Sequence, residues 1–229
     1  MKIVSWNANG KFREKFKAIL ELEADIYVIQ ECENPETCKN SEYRAIFMNY
    51  YWAGELSYKG LMVFTTRPDI TLERLDWGAE EKRYFIPVRV NGSFNLVAAW
   101  ACEPYYAELQ DWCEAVANHL DNRTVIIGDL NSNVMFDRKY PRKPGRGFGF
   151  VIRFLESKGL LPMWHYHHKQ EQGKETTPTL FLQRHLDKPY HVDHCFASPS
   201  LVKSIKIHTI WQWLSLSDHL PLEIEAENI

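Results

Sequence analysis

The sequence predicts an α/β protein whose sheet is at least partly antiparallel. Three observations lead there. Short β-branched and aromatic runs recur along the whole chain, and amphipathic segments with helical spacing stand between some of them. Asn91-Gly92 also separates the strand-like runs YFIPVRV and SFNLVAAW, a hairpin signal because both residues tolerate positive φ. A hairpin joins antiparallel neighbours, so a purely parallel doubly wound sheet is excluded.

Taken in order, KIVSW, DIYVIQE, LMVFTT, YFIPVRV, FNLVAAWA, TVIIGD, TLFLQ, HVDHCFA, SIKIHTIW and LPLEIEAE read as strands. In KFREKFKAILEL, Phe12, Phe16, Ile19 and Leu20 fall on one helical face. Leu109, Trp112, Cys113, Val116 and Leu120 do the same in YYAELQDWCEAVANHL. A third helix is expected in FGFVIRFLESKGLL, stopped by Gly159. No Pro/Gly/Ser-rich linker, repeat or low-complexity tract divides the 229 residues, so 1–229 reads as a single domain. The least regular region is SNVMFDRKYPRKPGRG, residues 132 to 147, a long loop carrying Arg138, Lys139, Arg142, Lys143 and Arg146. It reads either as a solvated excursion or as a grip on a phosphate-bearing substrate, since it leaves directly from Asn131.

With 45% hydrophobic and 25% charged residues the composition is that of an ordinary globular protein, which excludes disorder and coiled-coil classes. The net charge of −3 argues against coating nucleic acid by charge alone. Five cysteines without CxxC spacing indicate neither a disulfide framework nor a zinc ribbon, and read as reduced thiols. No signal-peptide pattern or membrane span is evident, so the expected location is the cytoplasm and no membrane partner is expected. Oligomeric state is not legible.

VIIGDLNSN, residues 125 to 133, raises the question of chemistry, because an apolar strand ends on Asp129 and Asn131. Were the chain to stay extended past Gly128, both side chains would point to one side and Leu130 inward. The pattern recurs: Asn7 ends the first strand, Glu31 the second, Asp193 lies in HVDHCFA, and Asp218-His219 opens the last strand. Singly each has a structural explanation, as a turn residue, a surface charge or a satisfied histidine. Together they suit phosphoester hydrolysis. Glu31 would hold Mg²⁺, Asp129 would position and deprotonate water, and Asn7 and Asn131 would donate to phosphate oxygens. A cationic His219 would stabilise the transition state, with Asp193 fixing its ring and raising its pKa.

The ordered motifs SWNANG, VIQECE, GDLNSN, HVDHCFAS and SDHLPL resemble the endonuclease/exonuclease/phosphatase superfamily over almost the whole chain. The resemblance implies a four-layer α-β-β-α sandwich, two mixed, mostly antiparallel sheets flanked by helices, with the active site at one edge. It implies a metal-dependent nuclease acting on DNA or RNA, using Mg²⁺ with Mn²⁺ as a substitute. The family's metal-binding glutamate maps onto Glu31, its amide onto Asn7, its nucleophile-orienting pair onto Asp129 and Asn131, and its histidine-pairing aspartate onto Asp193. Its closing acid and histidine map onto Asp218, a second metal candidate, and His219. Two positions depart from the pattern: Trp100 stands where many members carry a His or Tyr reaching the phosphate, and His191 where the nuclease branch often has Arg. Either the role at Trp100 is dispensed with or a neighbour such as Tyr105 or Tyr106 takes it.

Two other readings stand beside the nuclease: a phosphatase or phosphodiesterase of a small phosphoester, and a non-catalytic binding domain. MWHYHHKQ, with His165, His167 and His168, is expected to be an exposed polar loop because no Cys or spaced carboxylate accompanies it. Cys32 is expected in the core, and Trp52 either in packing or on a substrate-facing loop.

Overall fold

The computed structural model describes residues 1–140 and 142–227, and two six-stranded sheets dominate it. In the first the order is β13 (Val202–Ile207), β14 (Leu222–Ala226), β1 (Lys2–Asn7), β2 (Ile26–Cys32), β4 (Lys59–Thr65) and β3 (Asn49–Leu56). In the second it is β5 (Leu72–Arg74), β6 (Phe85–Val90), β7 (Phe94–Trp100), β8 (Thr124–Asp129), β12 (Asp193–Ala197) and β9 (Leu161–Pro162). A short ladder, β10 (Leu180–Phe181) with β11 (Pro189–Tyr190), stands apart.

Each sheet is antiparallel except for one pair, β1 with β2 and β7 with β8. Parallel neighbours need a crossover, and the two clearest amphipathic segments of the sequence supply them. The helix α1 (Phe12–Leu20) joins β1 to β2, and α3 (Tyr106–Ala115) joins β7 to β8. The hairpin at Asn91-Gly92 closes β6 on β7, with φ of 48° and 66° at the two residues. The four-layer sandwich of mixed, mostly antiparallel sheets is therefore present.

Strand alternation builds both interfaces. Along β8, Val125 and Ile127 join the core shared with the first sheet, whereas Ile126 joins the core beneath α3 and α5 (Phe148–Ser157). Asp129 falls on the inter-sheet parity. In β1, Trp6 turns outward, packing edge-on against Phe12 at 6.3 Å and Trp213 at 5.2 Å. Trp6→Ala would cost about 3–5 kcal/mol in lost packing. Ser5 turns inward, where its hydroxyl accepts from Gln30 Nε2, which also donates to Ala99 O across the sandwich. Gly128 is dictated by the approach of β7, for a Cβ there would lie 1.8 Å from Ala99 O. The parallel pairs β1/β2 and β7/β8 thus face each other, and the ends of four strands, Asn7, Glu31, Trp100 and Asp129, meet at one edge.

Several expectations are corrected. MWHYHH is not an exposed loop: it forms α6 (Met163–His168), with Met163, Trp164 and His165 buried. Six residues are too few to show helical periodicity, and packing against β12 and β13 decides the matter. The basic stretch is not a long loop, because α4 (Val134–Lys139) occupies its first part, capped by Asn133 accepting from Met135 N–H. SIKIHTIW is divided between β13 and α7 (Ile210–Trp213). The strand β3 and the helix α2 (Ser41–Ala45) escaped notice, the former because Gly54 interrupts its alternation. Trp52 serves packing: it lies over Gly54 and Gly60 and donates to Cys32 O. Cys32 is in the core as expected.

Candidate active site

Sheet register gathers the acids. Asp129 lies opposite Trp100 of β7 on one side and Asp193 of β12 on the other. β8 ends at Asp129, and Asn131 is placed by a left-handed turn (φ 46°), not by extension. The outcome is the same: Asn131 donates from Nδ2 to Asp129 Oδ2 at 3.0 Å and from its backbone to Oδ1 at 2.9 Å. Leu130 is buried among α3 and α5 residues. From the other sheet, Asn7 Nδ2 donates to Asp129 Oδ2 at 2.9 Å. Asp129 is fully buried and accepts from three amides.

His219 arrives from the segment before β14, which is stitched to β1. Ser217 Oγ donates to Asn7 O and accepts from His219 N–H, and Trp6 Nε1 donates to His219 O. Asp193 Oδ2 accepts from His219 Nδ1 at 2.9 Å, which leaves Nε2 at 4.0 Å from Asp129 Oδ2. Thr179 Oγ1 accepts from the backbone N–H groups of Val192 and Asp193 and steadies that strand end.

Electrostatics follow from burial and neighbours. Burial raises the Asp129 carboxyl, Asp193 adds to the rise, and the positive ring of His219 and the amide donors oppose it; the result lies at about 7. Burial alone would depress His219, but Asp193 and Asp129 outweigh it and push the imidazole up to about 10. A carboxylate near neutrality beside a cationic imidazole is a matched base and electrostatic stabiliser.

Glu31 sits at the rim. A bulge between Gln30 and Cys32 and a left-handed φ of 57° turn it out of the ladder. Its Oε1 lies 3.5 Å from Asn7 Nδ2 and its Oε2 3.2 Å from Lys59 Nζ. Asp218 is held differently: Oδ1 accepts from Asn9 Nδ2 at 2.6 Å and Oδ2 from Gln183 N at 3.2 Å. Ligand atoms of Asp129, Asp193 and His219 lie within 4.8 Å of one another, so this buried group could hold a metal ion. Asn9, Lys59, Thr179 and Ser217 were missed from the sequence. Only Asn9 carried a signal there, as the second amide of NAN.

Two cavities of about 590 Å³ each flank Asn131 and Tyr105, which border both. One is aromatic, lined by Tyr106, Phe136, Tyr140 and Tyr190 with Lys139 and Arg142. The other is lined by Glu31, Lys59, Arg83, Tyr84 and Trp100. Arg138, Lys143 and Arg146 do not line either one. Arg142 stacks 4.3 Å from the Tyr106 ring beside Asp137, and Arg146 pairs with Asp111 at 3.0 Å. His191 is buried, its Nδ1 donating to Thr177 O, and it shares edge contacts with His165 and His194. No described helix is long and apolar enough to cross a membrane.

No protein-family model and no curated protein matches the chain. Solved structures do. A 3′-5′ exonuclease from Neisseria meningitidis aligns over all of both chains at 19% identity with a TM-score of 0.74. An AP endonuclease from Archaeoglobus fulgidus does so at 19% identity and a TM-score of 0.69. An AP endonuclease from Leishmania major matches all of this chain and 88% of its own, at 14% identity and a TM-score of 0.71. With its paired sheets, its crossovers and the strand ends they align, the chain has the same fold as these exonuclease and AP endonuclease structures.

Proposed function

We propose that the chain is a Mg²⁺-dependent phosphodiester hydrolase acting on DNA. The observation that carries this is Asp129, buried, bracketed by Asn7 and Asn131, and facing a histidine that Asp193 keeps cationic. The fold neighbours support it, being an exonuclease and AP endonucleases by name.

The donor set suits a hard divalent ion, which prefers carboxylate oxygens and keeps several waters. Glu31 fits best, since it is partly exposed while Asp129 and Asp193 are enclosed. Asp218 is the second candidate, although both its oxygens already accept hydrogen bonds. Bound there, Mg²⁺, or Mn²⁺ in its place, would neutralise charge developing on the phosphoryl oxygens. The chain's own residues do the rest. Asp129 orients the attacking water and takes its proton, a role suited to a carboxyl near neutrality. The amides of Asn7 and Asn131 donate to Asp129 and hold it on the line of attack without adding negative charge. His219 presents Nε2 toward the same point and stabilises negative charge on phosphorus-bound oxygen. The aromatic cavity beside Asn131 suits a nucleobase or deoxyribose, with Tyr105 at its mouth and Lys139 and Arg142 on its wall.

The test compares purified wild type with Asp129→Asn on end-labelled single-stranded DNA, duplex DNA, abasic duplex and RNA, in Mg²⁺, Mn²⁺ or EDTA. Metal-dependent DNA cleavage that disappears in the variant is the expected result. A second reading, hydrolysis of a small phosphoester, is favoured by the pairing of Arg142 and Arg146 with Asp137 and Asp111, which reduces their use for a backbone. Absence of cleavage of every strand, with release of phosphate from a nucleotide or sugar phosphate, would establish that reading instead.

A further inference from the structure

We propose that Lys59 is a tethered cation of the site: it neutralises Glu31 until a divalent ion takes that carboxylate, and then contacts substrate phosphate. This rests on the hydrolytic reading above and deepens it.

Three observations carry the inference. First, Glu31 is the most open carboxylate of the strand-end group, its side chain 23% exposed against 1% for Asp129 and 2% for Asp193, and Lys59 Nζ stands 3.2 Å from it. Second, the backbone beneath Lys59 is clamped while its head is not. Lys59 pairs with Leu56 across the β3–β4 turn, and the next residue, Gly60, lies so close beneath Trp52 that a Cβ would meet the ring at 2.4 Å. Trp52 is itself anchored by its indole N–H on Cys32 O. The Lys59 side chain nevertheless remains 45% exposed. Its ammonium lies 5.3 Å from the centre of the Trp100 ring, which Tyr84 supports edge-on at 4.9 Å. A partly exposed ion pair and a cation–π contact are each weak, so the head is held in place without being locked.

Third, the cavity needs such a cation. Glu31, Glu55, Glu81, Glu103 and Glu108 line it, and its described cations are Lys59 and Arg83, with Arg83 drawn to Glu55 at 3.7 Å. Phosphate entering this cavity meets a wall of like charge, and of the two described cations that line it Lys59 is the one beside Glu31. An ammonium cannot keep the oxygen that a divalent ion occupies, because like charges at such separations repel strongly. A phosphate oxygen is then the acceptor its three N–H groups can use.

The experiment uses the full chain. Mg²⁺ alone is titrated by calorimetry into wild type, Lys59→Met and Lys59→Arg, and binding of a labelled DNA duplex is measured over a range of salt. Lys59→Met is expected to tighten Mg²⁺ by about two- to fivefold, the value of a partly exposed ion pair. The same variant is expected to weaken DNA binding and to lower the slope of its salt dependence by about 1. Lys59→Arg is expected to restore both toward wild type. The two changes have opposite signs, which a general loss of structure does not produce. Unchanged or weaker Mg²⁺ binding in Lys59→Met, or an unchanged salt slope, overturns the inference. Should wild type bind Mg²⁺ and cleave DNA while Lys59→Met changes neither quantity, the inference alone fails. A wild type that neither binds Mg²⁺ nor cleaves any substrate overturns the proposed function with it.

Discussion

Two groups of buried histidines, His219 beside Asp193 and His191 with His194, meet at β12, and they differ in charge: the first is cationic and the second neutral. His219 gives its Nδ1 proton to a carboxylate, Asp193, and is pushed up to about 10. His194 gives its Nε2 proton to a carbonyl, Ser132 O, and burial pushes it down to about 3. His191, on Thr177 O, is lowered by burial in the same way. All three rings are almost wholly enclosed, so burial does not distinguish them; the acceptor does. Alternation along β12 keeps His194 apart from Asp193. Asp193 and Cys195 face the inter-sheet core, whereas His194 and Phe196 face the other way, where Phe148 packs at 4.9 and 6.3 Å from them. The charged ring faces the strand-end carboxylate Asp129, and the neutral set supports the backbone of the loop behind Asp129.

The comparison breaks first at turnover. Asp129→Asn and His219→Ala should each lower turnover by about 10²-fold or more, since on the proposed reaction each removes a group that acts in the transition state. Steady-state rates near those of wild type in both purified variants would sink the assignment of roles. Substitution in the neutral set, by His191→Gln, should leave turnover within about threefold of wild type under the same assay, because its ring touches no reacting atom.

The pH profile sharpens the contrast. The rate should rise through about pH 7 as Asp129 loses its proton and fall through about pH 10 as His219 loses its own. Asp193→Asn removes the charge that holds the imidazolium, so the alkaline limb should move to lower pH. An unmoved limb would mean that the pair does not operate.

The smallest effect is on stability in acid. His194 has a folded pKa below its unfolded value of about 6.5, so the unfolded chain binds the proton first. Its contribution is therefore complete above about pH 6.5 and declines as pH falls toward about 3. Thermal melting of wild type should drop between pH 7.5 and 5, and His194→Gln should flatten part of that drop while keeping a donor for Ser132 O. Parallel curves for the two proteins would contradict a neutral, buried His194.

Much of this site is visible in the sequence because strand ends announce themselves. A polar residue that breaks an apolar run, as Asn7, Asp129 and Asp193 do, stands out against its neighbours. The helix spacing of Phe12, Phe16 and Ile19 and of Leu109, Trp112 and Val116 likewise marks the two crossovers. Lys59 gave no sign, being one lysine at the start of a strand whose partner, Glu31, lies 28 positions earlier in the chain. The run His165–His168 misled, because its burial comes from contacts with β12 and β13 that no local pattern encodes.

By itself, then, the sequence determined most of the strands, the hairpin, the two crossovers and the residue types that end the strands, since these depend on periodicity and turn chemistry along a few residues. Tertiary structure alone decided which carboxylate meets which histidine, how Glu31 is turned out toward Lys59, and why His219 is charged while His194 is not. Those outcomes depend on register and on the distance to an acceptor, and both arise only when two sheets close on each other.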